Sequence, residues 1–271
     1  MEEPNCSRIP EGAGGMNADI LKIEDVEKRY ETDKGEPVLA IRGISLAVDT
    51  NSFVSIVGPS GCGKSTLLRI IAGLETLTSG AIHYRGKPLH GYQPGISMVF
   101  QDYSLFPWRN VLDNVTFGLE FARMGRRERQ EKGIHYLKMV GLERFSKAFP
   151  HELSGGMRQR VALVRSLVNE PDLLLMDEPF GALDAHTRIL LQNELLRIWE
   201  QDKKTIVFVT HSVDEAVYLS DKIVVLTRLP GKIKTVVPVD IPRPRDRANP
   251  EYAKLVARLI GNLGEEVSIS P

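Results

Sequence analysis

The chain has 271 residues, with 35 Lys plus Arg against 35 Asp plus Glu, 42% hydrophobic and 26% charged. At roughly 150 residues per domain this makes one large domain or two small ones. The composition excludes a disordered, low-complexity or collagen-like chain, and the zero net charge argues against a dedicated nucleic-acid binder, which carries a basic surplus.

Two cysteines, Cys6 and Cys62, build no disulfide framework and suit a reducing compartment. No apolar run reaches the ~18 residues needed to span a bilayer. Residues 1–19 are acidic and then Gly-rich, without a basic start and apolar core, so they read as a loose tail and not as a signal peptide. Ile44, Leu46 and Val48 alternate with Ser45 and Ala47, the pattern of a half-buried antiparallel strand. Phe53–Val57 is a compact apolar run ending at Gly58. A helix is predicted over 64–72, stopped by Gly73. Helix-rich sequence then extends from about Val111 to Leu167, with a charged, solvated stretch at 123–132.

Three continuous apolar runs follow, at 173–176, 206–209 and 223–226, separated by helical segments such as 187–200. Strands buried on both faces and alternating with helices predict a parallel α/β sheet. Residues 242–245 read as a turn or extended linker. Asn249-Pro250 is an N-cap followed by proline at the first helical position. Tyr252, Leu255, Val256, Leu259, Ile260 and Leu263 share one helical face, predicting a closing helix docked on its own domain; a membrane-surface or partner-binding face is the alternative.

Gly58-Pro59-Ser60-Gly61-Cys62-Gly63-Lys64-Ser65 fits G-x-x-x-x-G-K-[ST], with an apolar strand before it and a helix after it. Small residues let successive backbone N–H groups surround phosphate oxygens, and the helix points its positive end at the same anion. Lys64 adds a charge for the β- and γ-phosphates, Ser65 a hydroxyl for Mg²⁺, and Thr66 reaches the α-phosphate. Cys62 contributes its backbone more than its thiol. The bland alternative is a Gly-rich turn that binds nothing. Downstream, the run at 173–176 delivers Asp177 and Glu178 to a strand end, the ligand edge of an open α/β sheet. Adjacent carboxylates repel, so they need a cation or separate roles. Asp177 suits the Mg²⁺ shell, and Glu178 is then free to polarise water as general base.

A phosphate cradle does not choose among GTPases, kinases and ATPases. Leu153-Ser154-Gly155-Gly156-Met157-Arg158-Gln159-Arg160 does. Ser154 is a predicted N-cap, and Val161, Val164, Leu167 and Val168 form an apolar stripe behind it. The result is a second Gly-exposed helix N-terminus suited to a phosphate. Here the chain resembles the nucleotide-binding subunit of ABC transporters, over about residues 20–240. The cradle matches Walker A, and Leu173 to Glu178 matches Walker B with its catalytic glutamate. Gln101 matches the Q-loop glutamine, Ala182-Leu183-Asp184 the D-loop, His211 the switch histidine, and Tyr30 the aromatic that stacks on adenine. Leu153 to Gln159 matches the signature, with Met157 where the family often has Gln.

The resemblance implies a P-loop NTPase (RecA-like) α/β core with an N-terminal antiparallel β-subdomain and an inserted helical subdomain at about 105–165. The ATP-binding domain would span 20–245, with a C-terminal helix and tail over 246–271. It also implies a head-to-tail homodimer, with ATP between the cradle of one copy and Ser154, Gly155 and Gly156 of the other. Lys64, Glu178 and His211 would be catalytic, Ser65, Gln101 and Asp177 would serve Mg²⁺, and Asp184 would couple the two sites. His83, His90, His135, His151 and His186 have no metal-ligand spacing and read as surface residues.

Residues 101–120, 210–216 and 230–233 look most like the nitrate/sulfonate/taurine importer subfamily. This implies uptake of a small anion or related nutrient, through membrane permease subunits docked at the aromatic loop 101–108 and fed by a separate substrate-binding protein. The chain would lie on the cytoplasmic face of the membrane. For that loop, local core packing is the alternative. A P-loop kinase would have no use for Ser154-Gly155-Gly156. An ABC-type ATPase acting on DNA or ribosomes would usually carry long coiled-coil insertions or two cassettes.

Overall fold

A computed structural model describes residues 19–31, 35–122 and 124–267. Of the expected N-terminal tail, 1–18 lie outside the described residues, whereas Asp19 opens the first strand. Strands β1 (Asp19–Tyr30), β2 (Val38–Asp49), β4 (Ser79–Tyr84) and β5 (Lys87–Pro88) form an antiparallel sheet in the order β2-β1-β4-β5. The predicted alternation appears there, with Ile44, Leu46 and Val48 buried.

The second sheet has the order β10-β9-β3-β8-β7-β6. Its members are β3 (Phe53–Val57), β6 (Ile96–Val99), β7 (Leu173–Asp177), β8 (Thr205–Thr210), β9 (Lys222–Leu226) and β10 (Ile233–Pro238). Five strands run parallel, and β10 adds antiparallel to β9. β3, β7 and β8 are buried at every position, which is why they read as apolar runs, with polar residues only at Ser55 and at strand ends.

α1 (Lys64–Ile71) follows β3 and ends one residue short of the predicted stop. Between β6 and β7 the chain leaves the sheet for α2 (Val111–Val115), α3 (Arg126–Met139) and α4 (Gly155–Leu167). α5 (Ala185–Gln201), α6 (Val213–Leu219) and α7 (Pro250–Val267) complete the helices. Three cores result. One packs α2 to α5 on the face of Phe53 and Phe208. One packs the antiparallel sheet and α1 on the face of Val54 and Ile56. A smaller one lies among α6, α7, β9 and β10.

Tyr252 and Leu259 anchor α7 in that third core, but Ile260 is 56% exposed. Eight residues after Tyr252 a helix has turned about 80° past two full-turn registers, so Ile260 sits beyond the edge of the buried stripe. The linker before α7 is fastened by cations. Arg245 is buried and donates to the carbonyls of Val217, Tyr218, Val239 and Ile241. Burial, followed by the neighbouring Arg243, pulls its pKa down to about 10.

Candidate active site

Register alone gathers the predicted chemistry. Val57 pairs with Thr210, Val209 with Asp177, and Met176 with Val99. The C-terminal ends of β3, β8, β7 and β6 therefore lie side by side. They carry, in that order, the cradle, His211, Asp177-Glu178 and Gln101. Ligands of open α/β sheets bind at this edge.

The cradle turns directly into α1. Gly63 occupies its N-cap at φ +93°, and a Cβ there would stand 2.8 Å from the Ala40 carbonyl oxygen, so both conformation and space demand glycine. No side chain caps α1, which leaves its first N–H groups for an anion. Lys64 is 5% exposed, and its Nζ donates to the carbonyls of Gly58 (2.9 Å) and Pro59 (2.8 Å). Cys62 is buried beside it, and burial pushes its thiol pKa up, the Lys64 charge opposing. A thiol held in its neutral form agrees with a backbone role. Tyr30 donates from its hydroxyl to Thr66 Oγ1 at 3.4 Å, with the Lys28 ammonium 4.9 Å from its ring centroid.

Ser65 Oγ donates to Asp177 Oδ1 at 2.8 Å, joining α1 to the end of β7. Burial is the main cause holding the Asp177 carboxyl above its ordinary range; the Ser65 bond opposes it and the Glu178 charge adds to it. These two oxygens are hard donors. Mg²⁺ is commonly held by one or two protein oxygens together with substrate phosphates, not by an all-protein cage. Among the described residues no cluster of three or more His, Cys, Asp or Glu could hold a metal. The donor set thus fits a Mg²⁺ that arrives with a polyphosphate.

The Asp177 shift carries a prediction. A carboxyl raised in the folded state favours folding below its ordinary pKa and loses that contribution as pH rises through the raised value. Asp177→Asn keeps the acceptor for Ser65 and removes the buried charge. At neutral pH the variant is expected to melt no lower than the unmodified chain. A Tm drop beyond about 3 °C, on the order of 1 kcal/mol at this size, would contradict the buried-charge account.

Glu178 extends the ladder past β7, its N–H donating to Val209 O at 2.9 Å. Its backbone lies at φ +44°, a conformation that costs a non-glycine residue about 1–3 kcal/mol and clusters at functional sites. Its Oε2 meets His211 Nδ1 at 3.2 Å, so two residues separated by 33 positions converge above the sheet edge. Of the other five histidines, four are exposed and His83 is half-buried, 3.3 Å from Glu24.

Other predicted residues do not meet the cradle. Gln101 is exposed beyond β6, and among the described residues no hydrogen bond reaches it. Ser154 caps α4, its Oγ accepting from Met157 N–H at 3.3 Å. The nearest groups to a Cβ on Gly155 and Gly156 would be Tyr103 and Thr187. Among the described residues no hydrogen bond joins Ser154, Gly155 or Gly156 to residues 58–66. Asp184 caps α5 by accepting from Thr187 N–H at 3.0 Å, and that backbone bond is the first cause of its lowered pKa.

The aromatic loop is half packed and half bare. The Phe106 and Phe117 rings meet at a tilt, their centroids 4.7 Å apart, and buried Asn114 bonds both the N–H and the carbonyl of Phe106. Trp108, by contrast, is 72% exposed. Beside it lies a groove of about 470 Å³ lined by Leu74, Tyr92, Phe100, Phe106 and Phe117 among others. No helix among the described residues is long and apolar enough to cross a membrane.

Residues 41–181 match the family model described as ABC transporter. The chain belongs to the ABC transporter family. An uncharacterized ABC transporter ATP-binding protein of Methanocaldococcus jannaschii is 53% identical over 247 residues, 91% of this chain and 92% of the relative. The nitrate import ATP-binding protein NrtD of Synechocystis sp. is 46% identical over 222 residues, 82% of this chain and 83% of the relative. A dimeric ATP-binding cassette in a post-hydrolysis state bound to ADP and Pi superposes with TM-score 0.72 at 33% identity, covering 82% of this chain and all of the other. The two-sheet architecture is that of an ABC cassette with a P-loop NTPase core, and the cassette is an ATP-binding ATPase.

Sequence reasoning missed the polar groups behind His211. Buried Thr210, Glu215 and Gln192 and half-buried Arg188 form a network that joins the end of β8 to α5 and α6. The available signal was Glu215, an acid flanked by Val213, Ala216, Val217 and Leu219 on a short apolar helix.

Proposed function

We propose that the cassette is the ATP-hydrolysing subunit of an importer for a small anion, nitrate or a chemically related one, and that it works as a head-to-tail dimer. The observation that carries the dimer is the division of the site. Residues 58–66, Asp177, Glu178 and His211 share one sheet edge, while among the described residues no hydrogen bond joins Ser154, Gly155 or Gly156 to it. The solute class rests on the relative named for nitrate import.

In this reading the backbone N–H groups of Gly58, Ser60, Gly61, Cys62 and Gly63, with Lys64 and Thr66, hold the ATP phosphates, and Tyr30 stacks on adenine. Ser65, Asp177 and Gln101 would hold Mg²⁺, which when bound offsets phosphate charge. Glu178 takes the proton of the attacking water as its oxygen bonds to the γ-phosphorus and the bond to the β-phosphate oxygen breaks. His211, held beside Glu178, contacts the γ-phosphate. The second copy adds Ser154 and the Gly155-Gly156 backbone, and Asp184 couples the two sites. The exposed Trp108 and the groove beside residues 101–108 take a helix of a membrane permease, which places the cassette at the cytoplasmic membrane face with the binding protein acting through the permease.

Ser154→Asp tests the division, since aspartate keeps the cap of α4 and sets a negative charge against the partner's γ-phosphate. Turnover per chain is expected to rise with protein concentration in the unmodified cassette and to vanish in the variant, with ATP affinity of the single chain kept. Concentration-independent turnover that is indifferent to Ser154→Asp would sink the dimer. Uptake assays with nitrate, a sulfonate and bicarbonate, in cells with and without the gene, test the solute.

A further inference from the structure

Glu215 has no part in the chemistry above, yet it is a carboxyl only 5% exposed. A carboxylate taken out of water needs partners. Its Oε2 accepts from Thr210 Oγ1 at 2.5 Å. The same hydroxyl oxygen accepts from Ser212 N–H at 3.0 Å, and Ser212 Oγ accepts from Glu215 N–H at 3.3 Å. These bonds close a ring around His211, tying the residues before and after it to each other and to the first turn of α6.

Glu215 Oε1 faces the other way, toward α5. Gln192 Nε2 donates to it at 3.3 Å, and Arg188 Nε lies 3.7 Å away. Arg188 Nε is buried with no hydrogen-bond partner, so a small approach of α5 to α6 would complete it. The same side chain reaches back along its helix, Nη2 donating to the carbonyl of Leu183, next to Asp184, at 3.0 Å. Gln192 in turn accepts from Arg247 Nη2 at 2.8 Å, and Arg247 Nε donates to both oxygens of Asp214.

We infer that Glu215 is a positioning residue for ATP hydrolysis, joining the Asp184 loop and α5 to the Thr210–Ser212 turn and so fixing the His211 ring against Glu178. Glu215, Thr210, Ser212 and Gln192 satisfy one another by hydrogen bonds and so form a stiff junction, to which Arg188 adds an ion pair. A displacement of residues 183–184 on meeting a second copy passes through Arg188 to Glu215 and from there to His211, while Arg247 braces the junction from the C-terminal segment. The inference rests on the reading that His211 serves the γ-phosphate site.

Glu215→Ala would strand Arg188 and Thr210 in the interior and test folding more than positioning, so the probe is the Thr210 hydroxyl. Thr210→Val keeps the shape and deletes the hydroxyl's bonds to both Glu215 and the Ser212 N–H. With the full chain, kcat for ATP is expected to fall roughly tenfold or more, since a 1 Å misplacement costs on the order of 10²-fold, while KM stays within about twofold. Thr210→Ser restores most of the rate. In a His211→Ala background, measured by single turnover, Thr210→Val adds less than about a further twofold, because groups that act as one unit are not additive. An unmodified rate for Thr210→Val beside a slow His211→Ala overturns the inference and leaves the site reading intact. So does equal damage by Thr210→Val with and without His211. An unmodified rate for His211→Ala overturns both.

Discussion

Glu178→Gln is expected to bind ATP as the unmodified cassette does, to lose roughly 10²–10⁴-fold in turnover, and to accumulate a dimer that forms only with nucleotide. Glutamine preserves the shape and keeps an oxygen for His211, but it cannot accept a proton from water. The position is already exacting: the residue is held at φ +44° at the end of β7, with Oε2 3.2 Å from His211 Nδ1. Its neighbour Asp177 is engaged by Ser65. The loss therefore falls on the chemical step and not on binding. In the proposed dimer ATP closes the two copies and hydrolysis releases them, so blocking the step is expected to shift the population to the closed dimer. Light scattering with and without ATP reads the dimer, and phosphate release reads the rate. Near-normal turnover would remove Glu178 from the base role. Slow turnover without a dimer would separate the chemistry from the proposed association.

Much of this site was legible because its residues sit at the ends of strands that announce themselves. β3, β7 and β8 are buried on both faces, so their central positions are almost wholly apolar, with buried Ser55 the exception, and Gly58, the Asp177-Glu178 pair and His211 at their C-terminal ends mark the sheet edge. Ser154 was legible for another reason: a short polar side chain just ahead of a helix accepts the orphan N–H two or three residues on. Asp184 was named only through the resemblance, although it caps α5 in the same way. Other parts leave little local trace. β1 carries irregular register shifts against β2, which break the simple alternation that identifies a strand. β10 is an antiparallel addition to a parallel sheet, half exposed and short of apolar runs. The Thr210–Glu215–Gln192–Arg247 network depends on side chains from three separated segments, and no periodicity in one segment encodes a hydrogen bond to another. A buried acid on an apolar helix is a trace, but it names no partner.

Lys64→Ala tests the cradle with an effect of comparable size on binding. The ammonium is 5% exposed, its Nζ rests on the carbonyls of Gly58 and Pro59, and among the described residues it enters no ion pair. Carbonyl dipoles solvate a buried cation only in part, so a polyphosphate is the natural counter-charge, supplied at the point where the free N–H groups of α1 already converge. Deleting one member of a buried charge pair costs about 3–5 kcal/mol, so ATP affinity is expected to fall by on the order of 10²–10⁴-fold as well as the rate. The nucleotide-free chain carries no such pair to lose, and its unfolding temperature is expected to stay close to that of the unmodified chain. The contrast appears in one thermal experiment. Ligand at about 100 times its Kd adds roughly 2.7 kcal/mol to the unmodified cassette, and the same ATP concentration adds little to the variant. Calorimetric titration showing unchanged ATP affinity would contradict the cradle assignment, because the one fixed positive charge in residues 58–66 would then be doing nothing for the anion it faces.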